Sequence, residues 1–198
     1  MAIIVDKVQK RKDIALACKE LFFQNGINDL TVSQVAKTAG VGKGTIYDYF
    51  KNKEDIVFEI VNILMVEHNE SKHEKLNNAS STREKVKAFS SIFYDEKDIE
   101  LRQLYKEFIS ISLTNPDKEM IEFQTACTNS YFEWFQIIID EGIAKGELIE
   151  SSQKFARGMF AMAEGIFISS VVTHTIDDVK KEIHQFADAL FDLIEVKR

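Results

Sequence analysis

The sequence predicts an all-α protein, and three observations carry that prediction. The 198 residues include one Pro and eight Gly, too few breakers to punctuate a series of short strands. Apolar residues recur at i, i+3, i+4 and i+7 in one segment after another, the spacing that lines one face of a helix. Ser, Thr, Asp or Asn stands at the start of most of these segments, several times with Gln or Glu three residues on, which is a helix start signal. With 45% hydrophobic and 29% charged residues the composition is globular rather than disordered. A chain of this length forms one large domain or two small ones and buries roughly 70% of its unfolded surface.

Ile14, Cys18, Leu21 and Phe22, with Ala15 and Ala17 beside them, predict a helix from about Lys7 to Asn25, stopped by Gly26. Thr31 with Gln34 is a capping-box pattern that starts a second helix, striped by Val32, Val35, Ala36 and Ala39 and closed by Gly40. The chain then restarts as GKGTIYDYF (42–50). Two helices of about two turns joined by a tight glycine-containing turn have the layout of a helix-turn-helix. Helices this short are marginal alone, so both need the first helix, and Ile46 and Phe50 supply the inward contact.

Turning about 100° per residue from Ile46 puts Gly44 and Asp48 near the opposite side, with Thr45 and Tyr47 flanking it and Tyr49 partway back. The outward surface therefore offers the Lys43 ammonium, a residue without a side chain, a hydroxyl and phenols. Such groups hydrogen-bond phosphate oxygens and touch thymine methyls, and Gly44 permits a close backbone approach to a groove wall.

Asn52 caps the next helix, whose first turn holds Lys53, Glu54 and Asp55. Its amides together with Lys53 make a second phosphate anchor. Ile56, Ile60, Ile63 and Leu64 carry this helix past residue 65, and the polar stretch from Glu67 to Ser81 is read as a boundary loop. Ser81 with Glu84 opens a helix to about Tyr94, Asp98 opens one to about Leu113, and Asn115-Pro116 starts a long one toward Lys145, stopped by Gly146. Ser151 or Ser152 begins an apolar helix through about Thr173, and Thr175 with Asp178 begins the last, to about Val196. About nine helices result, with no repeat, low-complexity tract or convincing strand.

The formal net charge is −7, but nine Lys and Arg against five acids up to Lys53 give that head +4 and leave −11 on the remainder. A basic head on an acidic body is the asymmetry of a polyanion-binding module joined to a different kind of domain. Cys18 and Cys127 lie far apart, lack metal-ligand spacing and fall on apolar faces, so they are read as two buried thiols of a reducing compartment. No apolar run reaches the roughly 18 residues of a membrane span, and no signal-peptide layout is present. The expectation is a cytoplasmic protein with no membrane partner.

His68 and His73 stand about 140° apart around a helix, and His174 and His184 lie in other segments. No metal site is expected, and the histidines are read as solvated or at a dimer interface. No Ser/His/Asp set, phosphate-cradling glycine loop or paired carboxylates occur at a defined spacing, so no catalytic residue, no cofactor and no enzymatic activity are expected.

Ala17, Leu21, Phe22, Gly26, Thr31, Val32, Val35, Ala36, Ala39, Gly40, Val41, Lys43, Gly44, Thr45, Ile46, Tyr47, Tyr49, Phe50, Lys53 and Glu54 together resemble the DNA-binding domain of the TetR family of one-component transcriptional regulators. The likeness covers residues 7 to about 65. Beyond them only the helix count and the stretch GIAKGEL (142–148) are similar to the family. The resemblance implies a homodimer whose last two helices form a four-helix interface, and an inducer pocket among the middle helices. By position it implies that Thr31 binds phosphate, that Lys43, Gly44 and Thr45 face bases or backbone, that Tyr47 and Tyr49 grip phosphates, and that Lys53 anchors the fourth helix. Gly42 departs from the family pattern, where a Ser is common, and so loses a hydroxyl contact. Asp48 also departs: an acid there either accepts from a cytosine N4 or points away.

The expected organisation is a helix-turn-helix DNA-binding domain over 1–53 and a helical ligand-binding and dimerisation domain over 54–198. Phe89, Phe93, Tyr105, Phe108, Phe123, Tyr131 and Trp134 lie on the apolar faces of the middle helices, either as core packing or as the lining of a pocket. A pocket so lined would take an apolar or aromatic small molecule, with Trp134, Tyr105 and Tyr131 as polar handles. Glu164, an acid in an apolar helix, reads as a rim or interface residue or as the partner of a cationic ligand. The expected function is a ligand-responsive regulator, a repressor released by its inducer from a palindromic double-stranded DNA operator. The alternative is an accessory or structural DNA-binding factor that dimerises and senses nothing.

Overall fold

Cap chemistry fixes where most of the helices begin and end. The computed structural model describes residues 6–114 and 118–197, and among these it contains nine α-helices, three short 3-10 turns and no strand. The helices are α1 (Lys7–Asn25), α2 (Val32–Thr38), α3 (Lys43–Tyr49), α4 (Lys53–Asn78), α5 (Thr82–Phe89), α6 (Ile99–Thr114), α7 (Lys118–Ala144), α8 (Ala156–Thr173) and α9 (Val179–Ile194). The chain divides into two compact units. One is formed by the residues up to Glu67 with Glu100–Phe123, the other by His68–Ile99 with the residues from Gln124 onward.

In the first unit, Asp6 caps α1 by accepting from the amides of Val8 and Gln9 at 2.9 and 3.3 Å, and Gly26 ends it at φ 75°. Ile14, Ala15, Cys18 and Phe22 form its buried stripe, while Leu21 is only half-buried and Ala17 is exposed. The Cys18 thiol donates to the Val35 carbonyl at 3.6 Å, and burial pushes it up to about 11, so it behaves as a small apolar residue. Thr31 and Gln34 form the expected capping box, with the Gln34 amide donating to Thr31 Oγ1 at 3.3 Å and the Thr31 amide to Gln34 Oε1 at 2.9 Å.

Ile46 and Phe50 are buried beside Val35 and Ala36. The Asp55 amide donates to Asn52 Oδ1 at 2.8 Å, which starts α4. Helix α6 braces the turn after α1: Glu107 accepts from the Ile27 amide at 3.0 Å, Gln103 donates to the Phe23 carbonyl at 3.0 Å, and Lys19 pairs with Glu100 at 2.8 Å.

The second unit corrects several boundaries. The stretch after Glu67 is no loop, because α4 continues to Asn78. Its polar residues are inside: His68, Lys72 and Leu76 recur at i, i+4 and i+8 and are all buried, so polarity there marks internal pairing rather than exposure. The Glu84 amide donates to Ser81 Oγ at 3.2 Å, but the Glu84 carboxylate turns to the Ser80 amide and hydroxyl at 2.7 and 2.8 Å. Helix α5 stops at Phe89 and tightens into the 3-10 turn Ser90–Phe93.

The Asn115-Pro116 start lies outside the described residues. Helix α7 ends at Ala144, followed by Gly146 at φ 69°. Residues Glu150–Phe155 form a 3-10 turn and α8 begins only at Ala156. Asp178, not Thr175, caps α9, accepting from the Lys181 amide at 2.9 Å, while Thr175 shares its hydroxyl with Thr173 at 2.7 Å.

The expectation that nothing is apolar enough for a membrane span also needs amending. The stretch Glu150–Thr173 is long and apolar enough to cross a membrane by length and composition, yet little of it is buried within the chain. Arg157 and Glu164 interrupt the stretch, which is why counting uninterrupted apolar residues missed it.

The chain end closes back onto the α7–α8 connection, with the Ile149 amide donating to the Ile194 carbonyl at 3.0 Å and the Val196 amide to the Glu147 carbonyl at 2.9 Å. Arg83 ties α5 to the end of α9 through a two-pronged bond to Glu195 at 2.9 and 2.7 Å. Where α7 passes Thr82 there is room only for glycine: a Cβ on Gly142 would lie 2.6 Å from Thr82 Oγ1 and 2.8 Å from its Cγ2. Gly142→Ala is therefore expected to destabilise the protein by about 1–3 kcal/mol in urea unfolding, and Thr82→Ala in the same chain should restore part of the loss.

Candidate nucleic-acid interface

Helix α3 is seven residues long, too short to persist alone. Its N-cap is Gly42, which makes no side-chain cap bond, so tertiary contacts must hold it. Ile46 and Phe50 provide the apolar ones, and the polar one comes from a residue that the sequence reading counted only as charge. Arg11, on α1, donates from Nη1 to the Tyr49 carbonyl at the end of α3, from Nη2 to Asp55 Oδ1 at 2.7 Å and from Nε to Glu59 Oε2 at 2.8 Å. Its guanidinium also lies 4.3 Å from the Phe50 ring centroid. One planar fork thus joins α1, the end of α3 and the first turns of α4, a geometry that Arg supplies and Lys does not.

Partial burial works against charge on both sides of this pair, and pairing outweighs it. Arg11 is raised above its ordinary range by the Asp55 and Glu59 carboxylates, and Asp55 is lowered by bonds from Arg11 and from the Lys51 amide.

The remaining face of α3 is open. Lys43, Gly44, Tyr47 and Asp48 are exposed, and Thr45 and Tyr49 are half-buried. Tyr47 keeps 54% of its surface accessible although nothing in its own fold requires an aromatic there. A Cβ on Gly44 would meet no atom within 4 Å. Thr31 is exposed at the start of α2, with its hydroxyl 2.8 Å from Gln34 Oε1. Lys53 Nζ donates to the Asn28 carbonyl at 2.7 Å, so it is held against the turn that precedes α2.

The seven aromatic positions divide between the two units. Phe108 and Phe123 belong to the first unit, where Phe123 stacks on Phe58 at 4.6 Å and Phe108 meets Phe58 edge-on at 6.0 Å. Tyr105 is half-buried on α6. Phe89, Tyr131 and Trp134 group together in the second unit, and Phe93 lies 5.4 Å from Phe167.

The buried companions of Phe89, Tyr131 and Trp134 were not anticipated. Lys72 directs its ammonium at their three rings, and His68 Nδ1 donates to Asp98 Oδ1 at 2.8 Å. His68 is therefore neither solvated nor at a surface. Asp98, expected as a helix start, is lowered despite its burial because the His68 bond favours the carboxylate. The i, i+4 spacing of His68 and Lys72 with Leu76 was the available signal. His73 is exposed and 4.4 Å from Trp134, His184 is 3.1 Å from the Tyr94 hydroxyl, and His174 is exposed.

Residues 14–60 match the family model described as bacterial regulatory proteins, tetR family. The chain is 29% identical to the fatty acid metabolism regulator protein of Bacillus subtilis (strain 168) over 95% of each chain. It is 30% identical to YhgD, an HTH-type transcriptional regulator of the same organism, over 71% of this chain and 73% of that one. In fold it is similar to a TetR family transcriptional regulator from Cytophaga hutchinsonii, with TM-score 0.79 and 19% identity over 99% of this chain and 100% of the other.

Arg11→Met should lower stability by about 1–3 kcal/mol in urea unfolding, because it leaves the Tyr49 carbonyl and two partly buried carboxylates short of a donor. The pH profile should change with it. The folded-state pKa of Asp55 is depressed, so its contribution is present above about pH 4, the ordinary carboxylate range, and is lost as pH falls through the lower folded value. The unfolding midpoint of Arg11→Met should therefore fall less steeply on acidification than that of the parent.

Proposed function

Since the chain belongs to the TetR family of bacterial transcriptional regulators, we propose that it is a ligand-responsive repressor that grips double-stranded DNA as a homodimer. The observation that carries this reading is the open surface of α3, where Lys43, Gly44 and Tyr47 are exposed and Thr45 half-buried on a helix held from within by Ile46, Phe50 and the Arg11 fork. Lys43 and the phenols of Tyr47 and Tyr49 bind phosphate oxygens, while Gly44 and Thr45 approach base edges. Thr31 and the first-turn amides of α2 bind a neighbouring phosphate. Lys53 serves the same backbone by fixing the turn at Asn28. In this division of labour residues 1–53 read DNA, and residues 54–198 bind the ligand and the second subunit in the cytoplasm.

Exposed apolar side chains support a dimer through the last two helices. Val172 on α8 is 67% exposed, and Leu193 and Phe186 on α9 are 76% and 44% exposed, apolar surface that their own unit leaves uncovered. A second copy laid against α8 and α9 would bury that surface and give two copies of α3. These must stand about 34–36 Å apart, or a multiple of it, to enter successive major grooves of a palindromic operator. An apolar or aromatic inducer that prefers another separation releases the DNA through its differential affinity for the two states. The name of the Bacillus subtilis relative, a fatty acid metabolism regulator, supports an effector with an apolar body. The protein performs no catalysis in this reading.

A gel-shift and fluorescence-anisotropy series on DNA upstream of the gene tests the proposal. Parent protein should protect a palindrome, with affinity falling steeply as salt rises. Lys43→Ala should weaken binding about tenfold and reduce the log–log salt slope by about one, as expected for a lost phosphate contact. Tyr47→Ala should weaken binding comparably with an unchanged melting temperature, since its side chain supports nothing in the fold. Sedimentation of a monomer at micromolar concentration, or a flat salt response, would refute the reading.

A further inference from the structure

In the second unit a buried ammonium is enclosed by aromatic faces. Lys72 is 2% exposed, and its Nζ lies 4.1 Å from the Phe89 ring centroid, 4.7 Å from Tyr131 and 5.7 Å from Trp134. The rings brace one another, Phe89 meeting Trp134 edge-on at 5.4 Å and Tyr131 at 6.3 Å. Several aromatic faces around one cationic nitrogen is the arrangement by which proteins recognise ammonium ligands. A lysine is a poor occupant for such a box, because its ammonium is strongly hydrated and its removal from water is expensive. Burial lowers Lys72 to about 7.

A second observation concerns hydrogen-bonding capacity left over in the same unit, at His68, whose ring lies 6.5 Å from that of Tyr131, at its partner Asp98, and at Ser91. His68 Nε2, Asp98 Oδ2 and Ser91 Oγ are buried without a partner, on residues 3%, 4% and 2% exposed. His68 stands one helical turn before Lys72 on α4. Burial lowers the His68 pKa, and its Nδ1 proton is committed to Asp98, so Nε2 offers a lone pair. Two orphaned acceptors and a hydroxyl call for N–H donors.

We propose that Phe89, Tyr131 and Trp134, with Asp98 and His68, form a binding site for an organic cation that carries N–H donors and an apolar tail, and that Lys72 is the internal stand-in it displaces. A carboxylate ligand paired with Lys72 would face the Asp98 charge and satisfy neither acceptor. A quaternary ammonium would fill the ring box but bring no N–H. A primary or secondary ammonium, or an amidinium, does both. Trp134 is half-exposed, with its ring centroid 4.4 Å from that of the exposed His73, which gives the box one wall at the surface. The site deepens the ligand-responsive reading and rests on it only for the effect of the ligand on DNA.

Trp134 is the single tryptophan of the chain, so its fluorescence reports on the box directly. Full-length protein and Lys72→Met are titrated at pH 7.5 with hexylamine, hexyltrimethylammonium and hexanoate, with circular dichroism confirming the fold. Lys72→Gln replaces Lys72→Met should the latter not fold. Hexylamine is expected to give a saturable change in the parent, the quaternary amine to bind at least tenfold more weakly, and hexanoate not to bind. Removal of the internal competitor should tighten hexylamine binding tenfold or more, and Asp98→Asn should weaken it by a similar factor.

Saturable hexanoate binding that vanishes in Lys72→Met would overturn the proposal, making Lys72 the partner of an anion. So would equal affinity for the quaternary amine, weaker amine binding by Lys72→Met, or no response in either chain. Operator binding without ligand is measured in parallel. Its absence would count against the repressor reading while leaving the fluorescence result intact.

Discussion

The three-way fork of Arg11 is the constraint on which the first unit turns. Helix α3 has one turn's worth of buried side chain, no side-chain cap and too few residues for independent stability. Its orientation is set by what seizes its ends. Arg11 holds the Tyr49 carbonyl, Asp55 receives both Arg11 and the Lys51 amide, and Asn52 begins α4 four residues after Asp48. A single charged group therefore defines where α3 stops and where α4 starts. The same group rests on the Phe50 ring, so polar and apolar restraints act at one point. The outward face can then carry residues chosen without regard to folding.

The second unit solves a different problem, since it keeps polar groups inside. His68, Lys72 and Asp98 are buried together in a helical unit rich in Phe. Such groups lower stability unless every hydrogen-bonding valence is met, and here His68 Nε2 and Asp98 Oδ2 are not. Elsewhere in the unit charged groups find partners: Arg83 engages Asp188, Asp192 and Glu195, and the Thr82 amide reaches the Glu147 carboxylate at 2.7 Å. The hydroxyls of Ser91 and Ser152, in the same unit, are also buried without a partner.

Local grammar made much of the fold legible. Thr31 with Gln34, Gly26, Asn52 and Gly146 act within four residues of the helix ends they define, and a sequence displays such neighbours side by side. The outward side of α3 followed from a rotation of 100° per residue once Ile46 was placed inside. Arg11 was not legible, because its partners lie 38 to 48 positions away and nothing in either segment marks the pairing. The stretch after Glu67 was misread because polarity was equated with exposure, although Leu76 stands eight residues after His68 in helical register. Thr175 and Asp178 were read together as the start of the last helix because both fit a cap pattern, and only the backbone decides which side chain reaches the Lys181 amide.

Gly44 has a consequence for the history of this fold. Its φ is not in the left-handed region and a Cβ there would touch nothing, so the position is indifferent to side-chain size as far as folding is concerned. Most residues would even favour the helix there relative to glycine. On the DNA-binding reading proposed above, descendants of such a chain could exchange residue 44 and drift to new recognition without passing through unfolded intermediates, whereas Arg11 admits no comparable wandering. Stability and selectivity would thereby be written in separate registers, open to selection one at a time.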